Sequence, residues 1–476
     1  MADAVVRRPL LVRDTAWLTS ADVLTIIGGL LGQVMLTHAL SQEKYGLFIV
    51  LIDAFALIFM LIDAGLPTII TRDVPGDRGL ARGLVSRTLR IQAVLACCFL
   101  PIGLVVGFLI WSDIPILLLL FCSSIPLVHI FTYAHRSVLR ALGEARQEAI
   151  VKVLERLVVT SGYGILLLMG VNDPTWYAGA FLSGAVVSLL YALWQGERMI
   201  SSVIENPSPI GPTRDLIISA LPFAVTLGIL PLLGRMEKVL LASWYGYSSA
   251  ALYHVAFLAY LAGLTLPQAI RAAFLPILGD SRGDTARTAS AVAEARKLVN
   301  LLIPIGMILG AVIAWFLMPL AFPVEYNDGS MGWSTFELFL LLLSGWGLTM
   351  LAAPTYVEVC AGQRPWLFTR MLAESAAVAV VTALFVIPRF GVLGAVISSI
   401  TAALALLFSS LYHSQTGSGE DRGLILTSLM IVCAAPVIAL FGLQSGSTPL
   451  VLLAGSICFA PWLVQRPNIR MPGEEE

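Results

Sequence analysis

Charged side chains lie inside several of the longest apolar stretches of this chain, and their types suit the binding of a charged ligand. The clearest case is Gly234-Arg-Met-Glu-Lys238, within an apolar segment at about 215–243. Arg235 and Lys238 are three residues apart and share one face of a helix, whereas Glu237 lies off that face. Such a cationic pair could attract a phosphate or pyrophosphate group. The alternative is a segment near the membrane interface, whose long side chains extend to water.

Three further arginines are candidates for binding an anion. Arg271 lies one to two turns inside an apolar segment at about 250–278, and a guanidinium can bind phosphate through two parallel hydrogen bonds. Arg136 and Arg140 share a helix face at positions i and i+4. These three and the pair above are the predicted substrate-binding residues. The alternative is that they anchor helices at a positively charged membrane edge, which fits Arg136 and Arg140 better than Arg271.

Carboxylates also fall inside the apolar segments, where an acid normally has a partner or a function. The candidates for ion coupling or for salt bridges are Asp22, Asp63, Glu237 and Glu374. Asp63 has a second interpretation, an ion pair with Arg72 at the membrane edge. The six cysteines and five histidines show no metal-binding spacing, so neither a metal nor a cofactor is expected.

The apolar stretches themselves predict the elements that carry these charges. Hydrophobic residues make up 58% of the chain and charged residues 12%, whereas soluble domains have about 25% charged residues. Runs of about 20 apolar residues, the length that a helix needs to cross a bilayer, recur from Leu18 to Leu463. The sequence therefore predicts an all-α polytopic membrane protein with about 14 transmembrane helices.

Lysine and arginine are distributed unevenly between the predicted loops. When successive loops are assigned to alternate sides of the membrane, all but four of the 29 lysines and arginines fall on one side. Lys44 and Arg389 fall on the other side, and Arg235 and Lys238 lie within a helix. Positively charged loops stay in the cytoplasm. This predicts a multi-pass protein of the inner or plasma membrane with both termini cytoplasmic.

Two stretches, one in each half of the chain, share a pattern of apolar residues. Tyr45-Gly-Leu-Phe-Ile-Val-Leu-Ile-Asp-Ala-Phe55 opens one predicted helix, and Ala251-Leu-Tyr-His-Val-Ala-Phe-Leu-Ala-Tyr260 opens another. A spacing of six helices would relate two lobes by an axis along the membrane normal, an arrangement found in transporters. The predicted division is an N-terminal lobe at 1–205, a C-terminal lobe at 206–415, and two final helices with a cytoplasmic tail at 416–476.

Six short motifs occur in order along the chain: Ser41-Gln-Glu-Lys-Tyr-Gly-Leu-Phe48, Asp63-Ala-Gly-Leu66, Leu139-Arg-Ala-Leu-Gly-Glu144, Pro222-Phe223, Arg271-Ala-Ala-Phe-Leu-Pro276 and Gly391-Val-Leu-Gly-Ala-Val-Ile-Ser398. Taken together, they resemble the polysaccharide and O-antigen flippases of the multidrug/oligosaccharidyl-lipid/polysaccharide exporter superfamily. Two departures affect the expected substrate more than the class. Leu40-Ser41 replaces a usual Gly-Pro, and Arg-Met-Glu-Lys replaces an Arg-x-Asp-Arg-like run.

The resemblance implies a transporter and not an enzyme. Its expected function is to flip a polyprenyl-(pyro)phosphate-linked oligosaccharide from the cytoplasmic to the outer leaflet by alternating access, for surface polysaccharide or glycan assembly. The expected partners are this lipid-linked oligosaccharide and membrane lipids, and no nucleic acid. Glycosyltransferases and a polymerase of the same pathway are further candidate partners.

Two alternative functions remain open at this point. One is a cation-coupled multidrug antiporter of the same superfamily, for which a cavity rich in acids and aromatic residues would be typical. The other is a membrane-embedded glycosyltransferase or polymerase, which would need catalytic acids or bases, usually on a sizeable external loop. The longest predicted outer loop, at 323–330, is short. The chain also contains no Walker A motif, so it is not expected to hydrolyse ATP itself.

Overall fold

A computed structural model describes residues 2–110, 113–203, 208–280, 284–362, 365–416 and 422–460. In these ranges the secondary structure consists of sixteen α-helices and two short 3-10 turns, Arg78–Leu80 and Val324–Tyr326, without a β-strand. Eleven helical segments in the same ranges are long and apolar enough to cross a membrane. Large apolar side chains cover their outer faces; Leu168 is 89% exposed and Leu320 80%. Such surfaces suit lipid rather than water, which confirms the all-α polytopic membrane fold.

The helices form two compact units, Met1–Ala242 and Ser243–Glu476. The first unit contains α1 (Ala2–Ala39), α2 (Gln42–Asp63), α3 (Leu66–Asp73), α4 (Ala81–Ile110), α5 (Ile116–Ala141), α6 (Ala145–Leu168), α7 (Pro174–Val203) and nearly all of α8 (Thr213–Tyr245). The second contains α9 (Tyr247–Gly263), α10 (Thr265–Asp280), α11 (Thr285–Ala321), α12 (Thr335–Ala361), α13 (Pro365–Phe390), α14 (Val392–His413), α15 (Arg422–Gln444) and α16 (Thr448–Cys458). The predicted lobes at 1–205 and 206–415 stay a prediction, and much of the predicted tail lies outside the described residues.

Two helices that the sequence predicts as continuous are interrupted. The predicted helix at about 45–70 divides into α2 and α3, because Ala64 and Gly65 adopt left-handed conformations with φ of 51° and 66°. The Asp63 carboxylate accepts a hydrogen bond from the Gly65 N–H at 3.3 Å and stabilises this turn. The expectation of one uninterrupted helix was wrong because apolarity alone does not reveal such a turn.

The predicted helix at about 250–278 divides into α9 and α10 at Leu264. The Trp346 indole N–H of α12 donates a hydrogen bond to the carbonyl of Gly263 at 2.8 Å. A buried helix carbonyl needs such a partner when it is released from the helix ladder. The interruption therefore depends on a side chain that is distant in the sequence.

In the first unit, α8 packs against the turn between α2 and α3. A Cβ on Gly65 would lie 2.4 Å from the backbone nitrogen of Ala224, so α8 approaches the turn too closely for a side chain there. Leu216 and Ala220 of α8 join a buried apolar cluster with Leu66 and Ile70 of α3. α8 is a continuous helix across Pro222 and Pro231. These contacts place the Arg-Met-Glu-Lys segment of α8 beside α2.

In the second unit, α12 is the most deeply buried of the candidate spans in the described ranges, with 83% of its apolar window inside the protein. It begins with a capping box, in which the Ser334 hydroxyl accepts from the Glu337 N–H and the Glu337 carboxylate accepts from the Ser334 N–H. Near its other end, the Glu358 carboxylate accepts hydrogen bonds from the N–H groups of Gln415 and Thr416. α12 is thus a fixed support for residues on its neighbours.

Candidate functional site

The predicted cationic pair on α8 is already paired with an acid. We call Asp53, Arg235 and Lys238 the α2–α8 ion cluster. Lys238 Nζ lies 2.5 Å from Asp53 Oδ2, and Arg235 Nη1 lies 3.3 Å from Asp53 Oδ1. Asp53 is near the midpoint of α2, about 16 Å from its N-terminal end at 1.5 Å per residue. The cluster is therefore deep in the membrane rather than at its interface.

The environment of each cluster member differs. The side chains of Lys238 and Asp53 are 5% and 11% exposed, whereas that of Arg235 is 34% exposed. Glu237, predicted to lie off the cationic face, is completely buried. The formal charges of these four residues cancel. The structure therefore brings Arg235 and Lys238 together as predicted, but not as an uncompensated positive patch.

Arg136 and Arg140 also meet on one acid, Glu148. Arg140 Nε donates to Glu148 Oε2 at 2.9 Å, and Arg136 Nη2 donates to Glu148 Oε1 at 3.4 Å. Glu148 has no exposed surface. A buried carboxylate held by two guanidinium groups fastens α5 to α6. The role of these arginines in substrate binding stays a prediction, and the contacts themselves are those of an internal ion triad.

α6 carries a further ion pair and a contact between a carboxylate and a histidine. Lys152 Nζ donates to Asp22 Oδ1 at 2.6 Å and joins α6 to α1. His129 Nε2 lies 3.1 Å from Glu155 Oε1 and joins α5 to α6. The sequence offers no local carboxylate for His129, and the structure supplies one from the next helix. Asp22 thus forms a salt bridge, and its role in ion coupling stays a prediction.

Arg156 lies well inside a helix, although the distribution of positive charge in the sequence predicts it at the cytoplasmic edge. Because α6 begins at Ala145, Arg156 lies eleven residues inside it, about 16 Å from the helix start. Its guanidinium lies over the Phe181 ring at 6.0 Å and next to Gly29 of α1. Among the described residues it forms no salt bridge. The sequence did not reveal this depth, because it does not show how early α6 begins.

Arg271, in the second unit, is held by aromatic rings rather than by an acid. Its guanidinium carbon lies 5.4 Å from the Tyr356 ring centroid and 5.9 Å from that of Phe368. Nη1 donates to the Tyr356 hydroxyl at 3.3 Å, and Nη2 contacts Cys360 Sγ at 3.6 Å. Within the described ranges no carboxylate contacts it. Arg271 is therefore an oriented, half-buried cation with N–H groups still available for an anion.

The remaining predicted acids have local partners. Asp63 stabilises the turn between α2 and α3, and its predicted pairing with Arg72 was wrong because Arg72 binds the adjacent Asp73, with Nη2 to Oδ2 at 2.9 Å. Glu374 on α13 accepts from Arg370 Nε at 2.9 Å and lies 3.1 Å from His413 Nε2 on α14. Arg370 and Glu374 thus form a salt bridge within α13, and the contact with His413 joins α13 to α14. In the described part of the chain, no group of three or more His, Cys, Asp or Glu side chains could hold a metal ion.

The family of this chain follows from a sequence match that covers most of the first unit and the start of the second. The model of the family described as polysaccharide biosynthesis protein matches residues 11–281, more than half of the chain. The chain belongs to this family. A search of curated protein sequences finds no match.

Solved structures share the fold of this chain. The lipid II flippase MurJ in an inward closed conformation gives a TM-score of 0.63 at 13% identity, over 95% of this chain and 99% of the flippase. An inward-facing multidrug resistance MATE family transporter gives 0.61 at 13% identity, over 86% and 95%. A transporter from Pyrococcus furiosus gives 0.58 at 13% identity, over 89% and 96%, and is described as having a binding pocket of reverse polarity. At 13% identity these likenesses show that the chain shares the fold of these proteins, and together with the family match they confirm the resemblance.

Proposed function

We propose that this protein flips a polyprenyl-(pyro)phosphate-linked oligosaccharide from the cytoplasmic to the outer leaflet by alternating access. The observation that carries this proposal is Arg271, a guanidinium fixed between Tyr356 and Phe368 without a contacting carboxylate in the described structure. A cation kept unpaired within a membrane helix is costly unless it faces a polar cavity or an anionic ligand. The membership in a polysaccharide biosynthesis family supports the same substrate class.

In this proposal the protein forms no covalent bond with its cargo. Its side chains offer hydrogen bonds and positive charge to the phosphate groups, which lowers the cost of removing them from water. The polyprenyl chain stays in the bilayer while the headgroup moves. The cargo is the proposed partner, and the inner or plasma membrane with cytoplasmic termini is the proposed location.

The proposal is tested by reversing the charge of Arg271. Arg271→Glu in proteoliposomes should reduce flipping of a fluorescent polyprenyl-diphosphate oligosaccharide at least tenfold, because the carboxylate repels the diphosphate. Arg287→Glu, at an exposed position in the first turn of α11, is the matched control and should retain most of the activity. Equal flipping by both variants and the wild type would show that Arg271 only anchors its helix.

A cation-coupled multidrug antiporter is the second candidate, and one observation favours it. In the first unit, the positive charges of Arg235 and Lys238 are balanced by Asp53 and the buried Glu237, so these four residues together carry no net charge. The same proteoliposomes separate the two functions. An antiporter would export an organic cation such as ethidium, and Arg271→Glu would leave that export unchanged or increase it.

A further inference from the structure

The two cations of the α2–α8 ion cluster share an internal acid before any ligand arrives. Asp53 contacts both cations, deep in the membrane. An alternating-access carrier must change conformation with its site empty as well as loaded. An unpaired buried charge would make the empty state costly, since removal of one partner of a buried ion pair is strongly destabilising. Contact with Asp53 lowers this cost, but it also occupies the cations that an anionic cargo would need.

Lys238 and Arg235 differ in burial and in how closely they contact Asp53. Lys238 is almost fully buried, with its Nζ 2.5 Å from Asp53 Oδ2. Arg235 is a third exposed, and its Nη1 lies 3.3 Å from Asp53 Oδ1. A guanidinium has five N–H donors in a planar fork, so one contact of this length leaves most of them for another partner. Lys238 alone carries enough charge to neutralise Asp53.

We infer that Asp53 is an internal counter-ion that holds Arg235 while the carrier is empty and is replaced as the partner of Arg235 by a phosphate group of the cargo. Lys238 remains with Asp53 throughout. Arg235 is then the binding residue of this cluster, and Lys238 is a positioning residue that acts through Asp53. This inference rests on the proposed function and adds to it a competition between an internal carboxylate and the cargo.

The competition predicts that removal of the acid tightens anion binding. The probe is farnesyl diphosphate, titrated into the detergent-solubilised full-length protein by calorimetry, with farnesol as the uncharged comparison. Asp53→Asn should lower the Kd for farnesyl diphosphate about tenfold, equivalent to about 1.4 kcal/mol. Adding Arg235→Gln to Asp53→Asn should cancel this gain. Farnesol binding should not change in either variant.

A second variant keeps the test informative if loss of the contact between Lys238 and Asp53 in Asp53→Asn prevents folding. The double variant Asp53→Asn/Lys238→Met removes the buried pair together and leaves Arg235 free. A simple two-cation site would bind the diphosphate more weakly after this change, whereas a site limited by an internal counter-ion would bind it more tightly. Asp73→Asn, which removes the acid paired with Arg72 on α3, is the matched control for a long-range charge effect.

The outcomes separate this inference from the proposed function. If the wild type binds the diphosphate and neither Asp53 variant binds it more tightly, the inference that Asp53 is a displaceable counter-ion is wrong and the flippase proposal stands. An equal gain from Asp73→Asn also contradicts the inference, because the effect would then be general. If neither the wild type nor any variant binds the diphosphate, both are wrong. A gain that depends on Arg235 supports both.

Discussion

Charged residues within the membrane segments of this protein fall into two kinds. Most are paired, as in Glu148 between Arg136 and Arg140, and such pairs fasten one helix to the next. Arg156 and Arg271 instead lie against aromatic rings, without a salt bridge in the described ranges. The second kind is better suited to bind a ligand, since an internal acid does not already occupy the cation. The type of partner, rather than the presence of charge, is therefore informative about function.

The Arg136–Glu148–Arg140 triad predicts a stability effect. Glu148→Gln leaves two partly exposed guanidinium groups beside a neutral amide at a fully buried position, so the loss should be somewhat below the value of about 3–5 kcal/mol for a wholly buried ion pair. The variant should unfold at a clearly lower temperature in detergent, measured by thermal denaturation. Glu144→Gln, at the N-cap of α6 without a side-chain capping bond, is the control and should change the midpoint little. Equal midpoints for the two variants would show that the triad is not stabilising.

Partners of the predicted site residues could not be predicted from the sequence. The deep position of Arg235 and Lys238 follows from apolar residues on both sides of them. Their acid, Asp53, comes from a helix far earlier in the chain, and no local spacing links the two segments. Asp53 did carry a signal, as an acid at the middle of an apolar run, but an acid there has many possible partners. Pairing depends on helix packing, which a single sequence does not specify.

At the scale of elements, the positions of the helices were predictable and their interruptions were not. Runs of apolar residues define the helices, because a segment in lipid must satisfy its own backbone hydrogen bonds and a helix does so. The turn at Ala64 and Gly65 lies inside such a run, where glycine is common and gives no distinct signal. The interruption after Gly263 is stabilised by Trp346 from α12. The second interruption therefore has a tertiary contact, whereas the first has a local hydrogen bond from the Gly65 N–H to Asp63.

The turn between α2 and α3 allows a direct test at this scale. Gly65 has a φ of +66°, and a Cβ there would lie 2.4 Å from the Ala224 nitrogen of α8. Gly65→Ala should therefore add a steric clash with α8 to the cost of a left-handed residue, which is about 1–2 kcal/mol. Thermal unfolding in detergent should show a larger loss than for Gly143→Ala, whose φ is +84° with no atom within 4 Å. Equal losses would mean that α8 yields easily at this contact.

At the scale of the whole molecule, the two compact units differ in how their candidate cations are compensated. In the first unit, Arg235 and Lys238 share an internal acid. In the second, Arg271 is oriented by Tyr356 and Phe368 without one in the described structure. A carrier of an anionic headgroup needs positive charge that is available when cargo arrives and tolerable when it is absent. An internal acid that the cargo can displace meets both requirements. The aromatic rings beside Arg271 meet the second requirement in part, because they support the cation when cargo is absent.

The orientation of the molecule in the membrane is the remaining whole-chain prediction, and single cysteines test it. The bias of lysine and arginine predicts that the turn containing Ser330 is outside and that the loop containing Gly76 is cytoplasmic. Both positions are exposed. In a background with all six native cysteines replaced, Ser330→Cys should react with an impermeant thiol reagent in intact cells. Gly76→Cys should react only after the membrane is permeabilised, which also controls for its intrinsic reactivity. The reverse pattern would place both termini outside. It would also contradict the direction of the proposed flipping, because the side with nearly all the positive charge would then face away from the cytoplasmic substrate.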